Sequence, residues 1–241
     1  MTDRYCILIP HYCHDAQLAG FLPLLQQAQL PLLVVDDGSD AETVSRLQAL
    51  IDEYPWAELV TRHPNQGKGA TMVAGMRHAA DQGFSHVILV DADGQHAAGD
   101  VIKLHQASLG APDCLFSGNP QFGPDIPKVR LYGRMITNVL ARIAAGNDVI
   151  RDAMCGLRLY PLAQVLPLCD AVAGRLRMEL DTELLVRACW AGLPLRFIDT
   201  EVVYPETGRS HFRMLSDNLR LAAMHITLLS YGLRRKLGGG Q

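Results

Sequence analysis

The feature that most constrains this chain is an alternation of short apolar runs with amphipathic stretches, in which two of the runs end in paired acids. The runs at 5–9, 32–35, 59–61 and 86–90 are of strand length. Between them, 18–29, 41–54 and 69–82 carry apolar residues at helical spacing, as at Leu18, Phe21, Leu22 and Leu25, or Val44, Leu47, Leu50 and Ile51. Strands alternating with helices of about ten to fifteen residues predict a doubly wound, mainly parallel α/β sheet. Pro10 is expected to stop the first strand. With 241 residues, 49% of them hydrophobic, the chain can bury the core of one large domain.

The acids fall where such a sheet binds ligands, in the crevice outside the carboxyl ends of its strands. His86-Val87-Ile88-Leu89-Val90 runs straight into Asp91-Ala92-Asp93-Gly94-Gln95-His96, and Leu33-Val34-Val35 runs into Asp36-Asp37-Gly38-Ser39. Alternating carboxylates suit a hard divalent cation, Mg²⁺ or Mn²⁺, whose other ligands are substrate phosphates and water. Asp91 and Asp93 are the candidate metal ligands, with Gln95 as a neutral third ligand or a hydrogen-bonding group. The alternative for the two acids is a solvated turn that caps a helix. For Asp36, bracing its own loop is as good a reading as contact with a ligand. Asn65-Gln66-Gly67-Lys68-Gly69 resembles a phosphate-binding loop, since N–H groups at a following helix start favour an anion. It lacks the spacing of a Walker A loop. Lys68 either touches a bound phosphate or is a solvated lysine at a helix start.

The second half is less regular. A helix is expected over 101–107, a strand over 114–117, and an irregular loop over 118–127, which holds two glycines and three prolines. The segment 129–146 is a strongly amphipathic helix with Leu131, Met135, Val139 and Ile143 on one stripe and Arg130, Arg134 and Arg142 elsewhere. A helix over 181–191 and a strand over 195–204 follow. Arginine forks suit phosphate oxygens, which makes Arg130, Arg134, Arg158 and Arg209, with His211 beside it, candidates for an anion, against the alternative of solvated surface groups. Asp152, Glu179, Asp181 and Glu183 are the carboxylates that could serve as a base. If 178–183 is extended its three acids share a side, and if helical Glu179 and Glu183 share a face. Asp152 is favoured as base or as orienter of an arginine, with ion pairing inside the fold as the alternative.

Composition excludes some partners. The net charge of -3 argues against nucleic acid, which is tracked by a basic excess. Six cysteines without C-x-x-C spacing read as reduced thiols of a cytoplasmic protein rather than a disulfide framework or zinc site. The short apolar run before Pro10 fits no signal peptide. The stretch 219–233 is apolar but interrupted by Arg220 and His225, and is followed by Arg234-Arg235-Lys236, too short and broken to span a membrane. It could lie in the membrane interface, as a peripheral contact at the inner face of the cytoplasmic membrane, or pack on the domain or on a second subunit of a homodimer. The expected division is a catalytic domain over 1–214, a C-terminal helical segment over 215–237, and a flexible tail over 238–241.

Ile9-Pro10-His11-Tyr12, Val35-Asp36-Asp37-Gly38-Ser39, Asn65 to Gly69, Asp91 to His96, Asp152 to Tyr160 and Gly208-Arg209-Ser210 stand in an order that resembles the family-2 inverting glycosyltransferases, over nearly the whole chain. Within these the chain is similar to the dolichyl- or polyprenyl-phosphate mannosyl- and glucosyltransferases. Tyr204-Pro205-Glu206-Thr207-Gly208-Arg209-Ser210-His211-Phe212 and the long C-terminal segment look closest to glycosyltransferase-like proteins found beside bacterial aryl-polyene pigment genes. The resemblance implies a GT-A type domain with a Rossmann-like sheet flanked by helices, and transfer of a sugar from a GDP- or UDP-sugar donor to a polyprenyl phosphate or other lipid. It further implies that Pro10, Tyr12, Val35 and Asp37 hold the nucleoside, and that Asp91, Ala92, Asp93, Gln95, Lys68, Arg134 and Arg209 surround the sugar and pyrophosphate. Asp93 and Asp152 are the implied catalytic acids, although an anionic lipid phosphate would need no base. Three departures stand out: Cys13 where the family has asparagine, His14 where it commonly has an acid, and Ser117-Gly118-Asn119 where it has Gly-Ser-Arg. A sugar-nucleotidyltransferase and a non-catalytic nucleotide-sugar-binding protein are the alternatives, the former lacking here a glycine-rich arginine loop near the first strand.

Overall fold

The computed structural model describes residues 3–123, 126, 128–172, 177–201 and 214–238. Its strands are β1 (Tyr5–His11), β2 (Leu32–Asp37), β3 (Ala57–Arg62), β4 (His86–Leu89), β5 (Leu115–Gln121), β6 (Arg158–Pro161) and β7 (Leu195–Glu201). Its helices are α1 (Asp15–Leu25), α2 (Ala41–Asp52), α3 (Lys68–Asp81), α4 (Ala98–Leu109), α5 (Lys128–Ala145), α6 (Leu162–Asp170), α7 (Leu180–Trp190) and α8 (Met214–Gly238). The strands form one sheet in the order β3-β2-β1-β4-β6-β5-β7. Every pairing is parallel except those of β6, which runs against both β4 and β5.

The central strands are apolar almost throughout because helices cover both faces of the sheet. Along β1, Cys6 and Leu8 join the core beneath α3, α6 and α7, while Tyr5, Ile7 and Ile9 join the core beneath α1, α2 and α4. Pro10 does not end β1. The pairing with β4 stops at Leu8↔Leu89, whereas β2 continues alongside to His11↔Asp36, so the missing N–H of Pro10 removes no bond from a two-sided ladder.

One further reading is corrected. The segment 118–121, expected to be loop, extends β5, which pairs with β7 through Gln121↔Glu201. Helix α5 forms as expected, and Met135, Val139 and Ile143 of its apolar stripe stand exposed while Ala141 and Ala144 are buried. Gly232 of α8 crosses at Ala144, where an added Cβ would lie 2.5 Å from the Ala144 carbonyl oxygen, so the two helices meet backbone to backbone. β6 and α6, which the pattern did not announce, occupy 158–170.

Candidate active site

The carboxyl ends of β1, β2 and β4 open on one cleft. Because β6 is antiparallel, Arg158 at its start pairs with Leu89 at the end of β4, and the chain just before β6 reaches the same mouth.

Between β1 and β2 the cleft is held by a buried knot. His11 Nδ1 lies 2.8 Å from Asp36 Oδ1, and the backbone N–H of His14 donates to His11 Nε2, so the ring is neutral and donates through Nδ1. Asp36 also accepts from the Ser39 hydroxyl and from the N–H groups of Gly38 and Ser39. Burial alone would raise its pKa, but the His11 and Ser39 hydrogen bonds outweigh it and hold the carboxyl below the usual range. Asp36 is therefore the brace of its loop. Cys13, whose N–H donates to Ser39 Oγ, sits at φ +55, a left-handed conformation that asparagine tolerates better than cysteine.

Asp37 is buried and spends both oxygens on the loop before α3, accepting from the N–H groups of Gln66 at 3.1 Å and Gly67 at 2.6 Å, with the Arg62 guanidinium 3.7 Å away. The first effect of this carboxylate is to shape that loop, and a nucleoside would have to share it. Val35 is fully buried within β2, Pro10 is half-buried, and Tyr12 stands exposed at the mouth.

The acids after β4 form a charged cluster. Lys68, the first residue of α3, places Nζ 2.7 Å from Asp91 Oδ1 and 2.9 Å from Asp181 Oδ2. Burial would lower the lysine pKa, but Asp181 and Asp91 drive it upward. Burial would raise Asp91, and Lys68 draws it below its ordinary value. Asp93 makes no ion pair among the described residues: burial and then the Asp91 charge push its carboxyl up to about 6, against the weaker pull of Lys68, while its Oδ1 accepts from the N–H of Gln95. Ala92 is buried and Gln95 half-buried. Gly156, arriving before β6, presses against Asp91 so closely that an added Cβ would lie 2.0 Å from Oδ2. Only glycine leaves this carboxylate its place.

A second cluster begins on α5. Arg134 grips Asp152 with two parallel hydrogen bonds of 2.5 and 2.7 Å, beneath the ring of Phe122, and Asn138 Nδ2 and the N–H of Met154 also donate to Asp152. Burial would raise the Asp152 pKa, but the Arg134 fork and charge keep it lowered, so it is a poor base. His96 is buried, which lowers its pKa below the ordinary imidazole value, and its Nδ1 has no hydrogen-bond partner among the described residues.

Some sequence candidates are reassigned. Arg158 is fully buried and donates to the carbonyl oxygens of Asp181 and Ala153, so it is a core residue and not a phosphate ligand. The 179–183 acids follow the helical alternative, with Glu179 at the start of α7 and Glu183 paired to Arg187. Arg209 and His211 lie outside the described residues, as does the side chain of Arg130. Asn119, which replaces the family's arginine, is tied to Asp199 on β7. His11, Asn138 and Gly156 were missed as site-builders, and only their presence inside the quoted motifs or between them signalled a role.

Residues 6–160 match the model for glycosyl transferase family 2. The chain belongs to this family. It is a glycosyltransferase of GT-A fold. The polyprenol monophosphomannose synthase of Mycolicibacterium smegmatis is 27% identical over 247 residues, covering 98% of this chain and 89% of that protein. The UDP-N-acetylglucosamine–dolichyl-phosphate N-acetylglucosaminyltransferase of Methanococcus voltae is 23% identical over 224 residues, covering 86% and 88%. Among solved structures, glucosyl-3-phosphoglycerate synthase from Mycobacterium tuberculosis, in complex with Mn²⁺ and UDP-glucose, superposes with a TM-score of 0.66 at 16% identity, over 98% of this chain and 79% of that one.

Proposed function

We propose that this family-2 enzyme transfers a sugar from a GDP- or UDP-sugar to a polyprenyl phosphate or another lipid phosphate, assisted by Mg²⁺ or Mn²⁺ at Asp91 and Asp93. The observation that carries the acceptor reading is the state of the carboxylates. Three of the four carboxylates considered as a base, Asp152, Asp181 and Glu183, are engaged by Arg134, Lys68 and Arg187, and Asp93 is assigned to the metal, an arrangement that suits an acceptor that is already an anion. The names of the two relatives, one a polyprenol-phosphate and one a dolichyl-phosphate enzyme, agree with it.

The metal reading rests on charge and donor type. One lysine is shared by Asp91 and Asp181, Asp93 beside them is driven toward its neutral form, and Asp181 Oδ1 is buried with no hydrogen-bond partner among the described residues. Oxygen donors with an unmet demand for positive charge fit Mg²⁺ or Mn²⁺. Among the described residues no three ligating side chains converge, so phosphate oxygens and water would complete the shell. Asp91 and Asp93, with Gln95 nearby, would hold the ion, which when bound neutralises charge on the departing nucleoside diphosphate. Lys68 adds a fixed positive charge at the same place, and the loop that leads into it is held by Asp37 through the N–H groups of Gln66 and Gly67. Arg134, aimed by Asp152 and Asn138, offers a cation to the acceptor.

Isothermal titration of nucleoside diphosphate with and without Mn²⁺ tests this. Asp91→Asn and Asp93→Asn should each weaken metal-dependent binding by roughly tenfold or more, about 1.4 kcal/mol. Unchanged affinity in both would refute the shared-metal reading. Release of nucleoside diphosphate in the presence of polyprenyl phosphate distinguishes transfer from nucleotidyl transfer, which releases pyrophosphate.

A further inference from the structure

The exposed side of α5 is apolar. Val129, Tyr132, Met135, Ile136, Val139 and Ile143 are 77, 60, 54, 61, 47 and 55% exposed. Five of them are spaced three and four residues apart, at 129, 132, 136, 139 and 143, which places them on one ridge along the helix. An ordinary surface helix turns such a ridge inward, and contiguous apolar surface of this kind marks an interaction face. Against α5 lies α8, whose outward side carries Leu219, Ile226, Leu233 and Leu237, 63, 69, 59 and 77% exposed.

The charges on these two helices decide the partner. Helix α5 contains Lys128, Arg130, Arg134 and Arg142 and no acid; α8 contains Arg220, Arg234, Arg235 and Lys236 and one acid, Asp217, which is buried. In a chain whose net charge is -3 this is a local basic field. Where the ends of the helices meet, a cleft of about 340 Å³ has an apolar wall of Val139 and Ile143 and a cationic rim of Arg142 and Lys236, with Asp148 as its one acid. A second copy laid on the ridge would bring its own basic residues onto Lys128, Arg142 and Lys236 with no exposed acid on either helix to meet them. An anionic phospholipid surface satisfies both demands, taking the ridge into its acyl boundary and the cations among its headgroups.

We propose that α5, seconded by α8, is the surface by which this chain docks on an anionic lipid bilayer. No helix of the described residues is long and apolar enough to cross a membrane, so the contact is interfacial. It goes beyond the acceptor assigned above, because docking is read without donor or acceptor. It also serves that reading, since Arg134, on the inner side of α5, belongs to the site.

Flotation of the full chain with phosphatidylcholine vesicles, with and without phosphatidylglycerol, tests the proposal. Binding should require phosphatidylglycerol and weaken as salt is raised. Ile136→Glu with Val139→Glu, at exposed positions, should reduce binding by roughly tenfold or more while leaving the melting temperature unchanged, and Leu109→Glu on the exposed end of α4 should reduce neither. Lys128→Gln with Arg142→Gln should reduce it as well. Equal flotation of parent and Ile136/Val139 variant, or binding indifferent to phosphatidylglycerol and salt, would overturn the proposal. So would a parent that does not float and a ridge variant that turns a dimer into a monomer. If the glutamate variant fails to fold, the lipid and salt arms on the parent protein still decide.

Discussion

Lys68 donates to Asp181 at 2.9 Å across 113 residues of sequence while also lying 2.7 Å from Asp91. One ammonium thereby ties the mouth of β4 to the first turn of α7, and the donor half of the cleft to the half that follows β6. Its side chain is only 16% exposed, so the bridge is little screened by solvent.

Lys68→Met should cost about 3 kcal/mol of stability in urea denaturation, because it leaves two carboxylates facing each other without their cation. Adding Asp181→Asn should restore part of that loss, with a coupling of about 1–2 kcal/mol. Strictly additive losses would show that the two residues are not partners.

Asp93 should make the metal-free protein pH-sensitive. In the unfolded chain an aspartate ionises near 4, whereas the folded carboxyl keeps its proton up to about 6, so stability is highest below the first value and is lost as pH rises through the second. With EDTA present, Asp93→Asn should melt above the parent near pH 8, by an amount worth about 1 kcal/mol, and level with it near pH 4. Mn²⁺ with nucleoside diphosphate should stabilise the parent and not the variant.

Asp152 behaves in the opposite sense. Its native carboxyl is held below the ordinary value, so the stability it contributes is present above about pH 4 and disappears as pH falls through the lowered native value. Asp152→Asn should cost about 1.5–3 kcal/mol at neutral pH and little in strong acid. In activity, an orienting role raises KM for the acceptor and leaves the acidic limb of the kcat/KM profile in place. Disappearance of that limb would make Asp152 the base.

Cys13→Asn should stabilise the protein by about 0.5–1 kcal/mol in thermal denaturation, since asparagine accepts φ +55 at lower cost than cysteine. A lower melting temperature would mean that Sγ, 3.8 Å from Ser39 Oγ, matters more than the backbone strain.

The half of the cleft built by β1, β2 and β4 was legible because its chemistry is local. The acids at 36–37 and 91–93 each follow an apolar run, and strand-then-turn periodicity alone puts both at carboxyl ends of a parallel sheet. What each acid binds was not legible. Asp36 and Asp37 look alike in sequence, yet both are consumed by backbone and side-chain donors from loops whose approach depends on packing. Arg158 looked like a phosphate ligand because an arginine in a polar motif ordinarily is solvated; it is buried because β6 lies inside the sheet, which no periodicity of four residues reveals. Helix α5 shows the reverse limit. Its amphipathic period was plain, but a period does not say which side faces protein.

The reversed direction of β6 gives the cleft two walls of different ancestry along the chain. The parallel strands deliver the β1, β2 and β4 termini as one wall, whereas the opposite wall hangs on the entry loop at 146–157, whose Gly156 presses against Asp91. The loop is anchored from within: Ile150 and Ala153 are fully buried, and the Ala153 carbonyl accepts from Arg158 and from the Thr182 hydroxyl. A change in this loop is therefore felt on both walls, since bulk at Gly156 would displace Asp91, whereas the strand ends of the first wall hold one another through their own ladders.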